Sequence, residues 1–195
     1  MTRLALALAC LAGAAEARGF AGCTKAEAEV AGAAVDGAMG LATRAGAAVG
    51  DTSLYAQWFG AFSPERGERV RATLKVIHRE LSADRLRVDC EDGKDETCLS
   101  AYAYVVPGQP GVVNLCPSFF GMPSLGEAGE GVAIERGTRE GVLVHELSHF
   151  PHAGGTEDGC FSRTTCESLA RSAPATAVGT ADSFQYFAED VSLGP

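Results

Sequence analysis

Two histidines and a glutamate in the last third of the chain have the spacing of a catalytic metal-binding motif. They are His145, Glu146 and His149, in the segment TREGVLVHELSHF. Residues four apart lie on one face of a helix, so both imidazoles can point at the same ion. Glu146 is then close enough to reach a water molecule on that ion. This H-E-x-x-H pattern is typical of zinc hydrolases, in which the glutamate is the general base.

A catalytic zinc ion needs a third protein ligand and an open coordination position. The residues alone leave three candidates for this ligand. His152 follows the motif closely, but a proline between them breaks the helix. Glu167 would reach the ion from a later helix. Asp158 follows a Gly-Gly pair, and such a pair allows a tight turn back beneath the motif helix.

The first half of the chain predicts two long helices. Thr24 and Glu27 form a capping box before an alanine-rich segment that runs towards Ala48. A serine and a proline at positions 63 and 64 suit the start of a second helix. Its apolar residues recur at helical spacing and should face the core; they are Val70, Leu74, Ile77 and Leu81.

The middle of the chain predicts a small sheet. Leu86–Asp89, Ala101–Val106 and Val112–Leu115 are strand-like, and the glycine-rich segment 121–131 is predicted to be a surface loop. No internal repeat or linker separates these segments. We therefore expect one α+β domain, in which helices come first, then a sheet, then helices again.

Composition and net charge exclude some classes of binding partner. With 195 residues, 46% hydrophobic and 21% charged, the chain should form one folded domain. The net charge of −9 and the lack of a lysine or arginine cluster argue against nucleic acid. No apolar run reaches the ~18 residues that a membrane span requires. We expect protein or peptide substrates, a monomeric state, and no membrane contact once the leader is removed.

The first residues have the pattern of a secretory signal peptide. Arg3 provides a positive start, an apolar run covers Leu4–Ala15, and Ala15-Glu16-Ala17 resembles a cleavage site. The sequence therefore predicts a signal peptide at residues 1–17, a mature domain at 18–195, and a secreted protein. Of seven cysteines, Cys10 would leave with the leader.

Six cysteines remain in the mature chain, and an even number in an exported protein indicates disulfides. Fifteen pairings are open to six cysteines. No Cys-x-x-Cys pair is present, so a thiolate zinc site has little support. The six are Cys23, Cys90, Cys98, Cys116, Cys160 and Cys166.

The chain resembles the deuterolysin and peptidyl-lysine metalloendopeptidase family, the aspzincins. The resemblance rests on the H-E-x-x-H segment, on Gly155-Thr-x-Asp158 and on the segment Ala181–Glu189, with weaker matches at 58–60, 103–105 and 115–116. It implies a zincin-like fold with the motif on a central helix. It also implies one zinc ion held by His145, His149 and Asp158, with Glu146 as the base. The implied disulfides are Cys23–Cys90 and Cys98–Cys116, which leave Cys160 and Cys166 to pair.

The sequence departs from the family at two functional positions. Phe161 stands where the family motif has a tyrosine whose hydroxyl stabilises the developing oxyanion, and losing one such donor can lower the rate ~10²–10³-fold. Lysine-specific members have an Asp and a Glu in the substrate pocket, whereas this chain has Asp182 and Gln185. We therefore expect a secreted zinc endopeptidase with a weakened preference for lysine. The alternative is a zinc-binding but inactive relative that serves as a binding module.

Overall fold

A computed structural model describes residues 19–194, so the expected signal peptide at 1–17 lies outside the described residues. The described part of the chain is α+β, as predicted. Residues 19–194 form eight α-helices: Lys25–Ala48 (α1), Ser53–Phe59 (α2), Pro64–Leu81 (α3), Leu125–Gly129 (α4), Arg139–Ser148 (α5), Arg163–Ser172 (α6), Pro174–Ala177 (α7) and Ala181–Leu193 (α8). The same range contains four strands: Gly19–Ala21 (β1), Arg87–Cys90 (β2), Ala103–Tyr104 (β3) and Val112–Leu115 (β4).

Helix α1 lies at the centre of the helical layer and packs against α3, α5 and α8. It begins at the predicted capping box, in which Thr24 accepts from the Glu27 N–H and Glu27 accepts from the Thr24 N–H. Its buried face consists mainly of alanines at three- and four-residue spacing, which lets neighbouring helices approach closely. Helix α1 therefore provides the surface on which the motif helix α5 packs.

The sheet has the order β1-β2-β4-β3, with β1, β2 and β4 parallel and β3 antiparallel to β4. The predictions missed β1, a three-residue edge strand that pairs with β2. They also made β3 too long, because the chain already turns at Val106, whose carbonyl accepts from the Gln109 N–H at 2.8 Å. Strand β3 is an edge strand of the sheet, and this position matters for the site.

The segment 121–131 contains a short helix, so the prediction of a plain surface loop was wrong there. A capping box of Ser124 and Glu127 begins α4. The Leu125 N–H at its first turn donates to Oε2 of the buried Glu140 on α5, at 2.8 Å. This tertiary contact, which the local sequence does not reveal, stabilises one turn of helix within a glycine-rich stretch.

Residues 19–194 contain three disulfides, in the pairings that the family resemblance implied. Cys23–Cys90 joins the segment before α1 to the end of β2, and Cys98–Cys116 joins the segment before β3 to the residue that follows β4. Cys160–Cys166 closes the turn before α6. Among residues 19–194, no helix is both long and apolar enough to cross a bilayer.

Aromatic packing holds α8 in place beside the motif helix. Phe59 of α2 contacts Phe184 and Phe187 of α8, with ring centroids 5.1 and 5.2 Å apart. All three rings are fully buried. Because α8 also packs against α5, its opposite face lies next to the H-E-x-x-H segment.

Candidate metal centre and active site

The two motif histidines lie at the carboxyl end of α5. The helix begins after Thr138, whose side chain accepts from the Gly141 N–H, and its last helical residue is Ser148. His149 is therefore the residue that follows the helix, whereas the sequence pattern placed the whole motif on the helix. Its backbone is still helical, with φ −67° and ψ −25°, so both imidazoles lie on one face, with ring centroids 4.8 Å apart.

A tight turn after α5 brings Asp158 back to these histidines. Gly155 has φ +55°, a conformation that suits glycine, and the Thr156 N–H donates to the Ser148 carbonyl at 3.2 Å. Glu157 then forms a backbone bridge with Thr180, just before α8. As a result, Oδ1 of Asp158 lies 3.1 Å from Nε2 of His145 and 3.4 Å from Nε2 of His149.

The two other candidates for a third ligand have different neighbours. His152 places Nε2 3.2 Å from the buried carboxylate of Glu80 on α3. Glu167 on α6 accepts a hydrogen bond from Gln57 on α2 at 3.0 Å. Within residues 19–194, Asp158 is therefore the candidate that lies with the two motif imidazoles.

The geometry of this trio fits a zinc ion. Ligand atoms of His145, His149 and Asp158 all lie within 4.8 Å of one another. Four-coordinate zinc with bonds of ~2.0–2.1 Å places neighbouring ligand atoms roughly 3.3 Å apart, close to the 3.1 and 3.4 Å found here. Two imidazole nitrogens and one carboxylate oxygen are also a donor set that zinc prefers.

The backbone fixes the tautomer of His149. Its Nδ1 lies 2.8 Å from the Thr156 carbonyl, which can only accept, so Nδ1 carries the proton and donates. In the neutral, metal-binding form of the ring this leaves the lone pair on Nε2, the nitrogen that faces Asp158. The Thr156 hydroxyl also pairs with that of Ser148 at 2.6 Å, which ties the turn to α5.

The three groups shift one another's protonation when no ion is bound. Hydrogen bonds with His145 and His149 hold the pKa of Asp158 far below its usual range. Burial lowers the pKa of His149, but the hydrogen bonds with Asp158 and the Thr156 carbonyl outweigh it and raise this pKa to about 9. One carboxylate oxygen therefore lies against two imidazole nitrogens.

Glu146 lies beside the same cluster. One of its carboxylate oxygens is 4.0 Å from Nε2 of His145, and the residue is 7% exposed. Burial raises the pKa of Glu146 to about 7. The geometry therefore offers a carboxylate within reach of a water molecule bound at the cluster, as the motif predicts.

A cavity of about 920 Å³ opens over these residues. Its walls come from the edge strand β3, the turn that carries Asp158, and helix α8. Phe161 stands at this cavity with 76% of its surface exposed, and it presents no hydroxyl to the cluster.

The two predicted substrate-binding residues, Asp182 and Gln185, both line this cavity from α8. Oδ2 of Asp182 lies 4.0 Å from Nδ1 of His145, and neither atom has a hydrogen-bond partner within the described residues. Burial raises the pKa of Asp182. The amide nitrogen of Gln185 donates to the Arg136 carbonyl and to the Glu189 carboxylate.

Sequence reasoning missed two supporting residues. Thr156 acts through its backbone carbonyl, which has no side-chain signature, although its place in the Gly-Thr-x-Asp turn was noted. Glu189 is fully buried four residues after Gln185, and an acidic residue on the same helical face as a pocket residue was the available signal. Its carboxylate accepts from Thr138, just before α5, and from Arg163 on α6, which the sequence could not reveal.

A small mixed sheet, an H-E-x-x-H helix and a following aspartate define the class of zincin-type metallopeptidases. The sequence model of the aspzincin family, described as lysine-specific metallo-endopeptidase, matches residues 44–189. The chain therefore belongs to the aspzincin family of zinc metalloendopeptidases.

Individual relatives agree with this membership. A peptidyl-Lys metalloendopeptidase of Pleurotus ostreatus is 36% identical over 140 residues, which are 71% of this chain and 74% of that protein. An extracellular protease of Aeromonas hydrophila is 32% identical over 163 residues, 81% of this chain but only 43% of that protein. The solved structure of a zinc peptidase from Grifola frondosa matches with a TM-score of 0.72 and 28% identity, covering 86% of this chain and 97% of that one.

Proposed function

We propose that this chain is an exported endopeptidase that hydrolyses internal peptide bonds with Glu146 as the general base. The observation that carries this proposal is the convergence of His145, His149 and Asp158 at 3.1 and 3.4 Å, with the Glu146 carboxylate beside them in an open cavity. These three residues would hold one zinc ion per chain.

The bound ion would supply Lewis acidity, which makes a water molecule more acidic and a peptide carbonyl more electrophilic. Glu146 would take the proton from that water and later deliver it to the leaving amine. Its position supports both roles, because the carboxylate adjoins the cluster at 4.0 Å and is shielded from bulk solvent. The Thr156 carbonyl would keep His149 in the ligating tautomer throughout.

The cavity walls support a polypeptide substrate in extended form. Strand β3 is an edge strand of the sheet and lines the cavity, so an extended peptide would add to the sheet along its outer side. Asp182 lines the same cavity and has an unpartnered, buried carboxylate oxygen. The negative charge of this carboxylate would attract the ammonium group of a lysine side chain, and we propose a preference for basic residues on this ground.

Phe161 stands where the family resemblance implies a tyrosine, and it offers no hydroxyl to a developing oxyanion. The missing hydroxyl is the observation that favours the alternative function, a catalytically inactive zinc-binding module. The relatives do not favour it, since they are named as proteases or peptidases. We propose an active enzyme in which His145, His149 and Asp158 would hold an ion that could offset the developing negative charge without a tyrosine hydroxyl.

Three disulfides within residues 19–194 support export, because such bonds persist in oxidising compartments. The relative from Aeromonas hydrophila is named an extracellular protease. We propose that the chain is secreted and acts on proteins or peptides as a monomer, without nucleic acid or membrane partners.

The experiment that tests the catalytic proposal compares two isosteric variants of α5. Glu146→Gln should abolish cleavage of a denatured protein substrate but leave the zinc content near one ion per chain. Glu140→Gln is the matched control, because Glu140 is equally buried on the same helix but hydrogen-bonds Leu125, away from the cavity. Substantial cleavage by Glu146→Gln, or zinc-loaded wild-type protein that cleaves nothing, would overturn the proposal.

A further inference from the structure

The face of α8 beside the cavity carries two residues one helical turn apart, Gln185 and Glu189. Gln185 lines the cavity and is 4% exposed, whereas Glu189 lies behind it and is fully buried. The catalytic proposal uses neither Glu189 nor the orientation of the Gln185 amide. A buried carboxylate behind a pocket residue nevertheless requires an explanation, because burying a charge is costly unless it is paired.

Within residues 19–194, the hydrogen-bond partners of the Glu189 carboxylate are all donors. Its Oε1 accepts from the Thr138 N–H at 2.7 Å and from the Thr138 hydroxyl at 3.0 Å. Its Oε2 accepts from the Arg163 guanidinium at 2.9 Å. Burial raises the pKa of Glu189 to about 7, so above that pH the carboxylate is ionised and acts purely as an acceptor.

The amide nitrogen of Gln185 faces two acceptors. It lies 3.3 Å from the Arg136 carbonyl and 3.4 Å from Oε1 of Glu189. If the amide were rotated by half a turn, its oxygen would face that carbonyl and that carboxylate, and both contacts would be repulsive. The nitrogen therefore points inward, and the oxygen is the end of the amide that remains for the cavity.

Two glycines leave the space for this arrangement. A Cβ at Gly137 would lie 1.8 Å from the Gln185 amide nitrogen, and a Cβ at Gly141 would lie 1.9 Å from Oε1 of Glu189. Gly137 also has φ +89°, which other residues rarely adopt. Because these two glycines lack side chains, the Gln185 amide and the Glu189 carboxylate have room to lie in contact with each other.

We propose that Glu189 is a positioning residue that holds the Gln185 amide with its oxygen towards the cavity. Asp182 and Gln185 then present acceptors alone, so the neutral glutamine still favours a substrate side chain that donates hydrogen bonds, such as the lysine ammonium. Arg136 is the cation beside this pocket, and its backbone carbonyl contributes to the same orientation. This inference rests on the proposed function for the identity of the ligand.

The first test reads the orientation directly and needs no catalysis. The side-chain NH₂ resonance of Gln185, assigned by its loss in Gln185→Met, should exchange with solvent at least about tenfold more slowly than that of a free glutamine. An NH₂ group turned to the cavity would exchange like the free residue, and that result would overturn the proposal.

The second test measures binding in the zinc-loaded Glu146→Gln background at about pH 8. Two peptides differ only in one residue next to the scissile bond, which is lysine or the apolar isostere norleucine. Lysine should bind about tenfold more tightly or better, the usual scale for a hydrogen bond to a charged group. Adding Glu189→Gln should lower this ratio about fivefold, because a glutamine there can donate to Gln185 and let its amide turn. Adding Glu140→Gln instead should leave the ratio unchanged.

The outcomes separate this inference from the catalytic proposal. An unchanged lysine-to-norleucine ratio in folded Glu189→Gln overturns the positioning role. If Glu189→Gln does not fold, the same binding measurement is made with Gln185→Met. A lowered lysine-to-norleucine ratio supports an amide whose nitrogen points inward and whose oxygen faces the cavity. An unchanged ratio overturns that orientation. If neither peptide binds and wild-type protein cleaves nothing, the proposed function fails, while the exchange rate of the Gln185 amide still decides its orientation.

Discussion

Replacing Asp158 tests whether its carboxylate is the third metal ligand. Asp158→Ala removes the one anionic donor of the trio, whose Oδ1 lies 3.1 and 3.4 Å from the two imidazole nitrogens. The variant retains only two neutral donors. Since altering groups that merely orient a ligand typically weakens metal binding ~10–100-fold, losing the ligand itself should weaken it at least about 100-fold.

This loss translates into a thermal shift of measurable size. Free zinc at about 100 times the wild-type Kd stabilises the folded chain by ~2.7 kcal/mol. At the same concentration, a 100-fold weaker site gains only ~0.4 kcal/mol. For a domain of this size, ~1 kcal/mol corresponds to roughly 2–4 °C, so zinc should raise the wild-type Tm by about 5–11 °C and that of Asp158→Ala by about 1–2 °C.

The assay is thermal unfolding followed by circular dichroism, with free zinc set by a competing chelator. Each variant is compared with its own zinc-free sample, so that changes in intrinsic stability cancel. Glu157→Gln is the matched control, because it removes an exposed neighbouring charge and should keep the full zinc-dependent shift. An undiminished shift in Asp158→Ala, or an equal loss in Glu157→Gln, would refute the assignment of Asp158 as a ligand.

Three further outcomes are expected. Phe161→Tyr should raise kcat about tenfold or more, up to the ~10²–10³ that one oxyanion donor can contribute, and an unchanged kcat would show that the charge is stabilised elsewhere. Asp182→Asn should lower kcat/KM for a lysine peptide about tenfold relative to its norleucine analogue. A tenfold fall in zinc affinity would show instead that Asp182 orients His145, because Oδ2 of Asp182 lies 4.0 Å from Nδ1 of that histidine. Replacing Cys160 and Cys166 by serine should lower the free energy of unfolding by ~2 kcal/mol in urea titrations, and a loss below about 0.5 kcal/mol would contradict this loop-closure reasoning.

Local patterns predicted the long helices well. The capping box at Thr24 and the apolar spacing from Val70 to Leu81 concern residues a few positions apart, and helical geometry alone relates such residues. Strand β1 and helix α4 were missed for the opposite reason. Each is short and is stabilised by a partner far along the chain, β2 for the strand and Glu140 for the helix.

By itself, the sequence determined the pair of histidines and the glutamate between them, because helical periodicity places residues four apart on one face whatever surrounds them. Only the tertiary structure decided which of His152, Glu167 and Asp158 lies with that pair, since the answer depends on a turn held by a backbone bridge to the start of α8. It likewise decided which end of the Gln185 amide faces the cavity. That orientation is set by donors and acceptors from three separate segments, and no local spacing encodes where those segments meet.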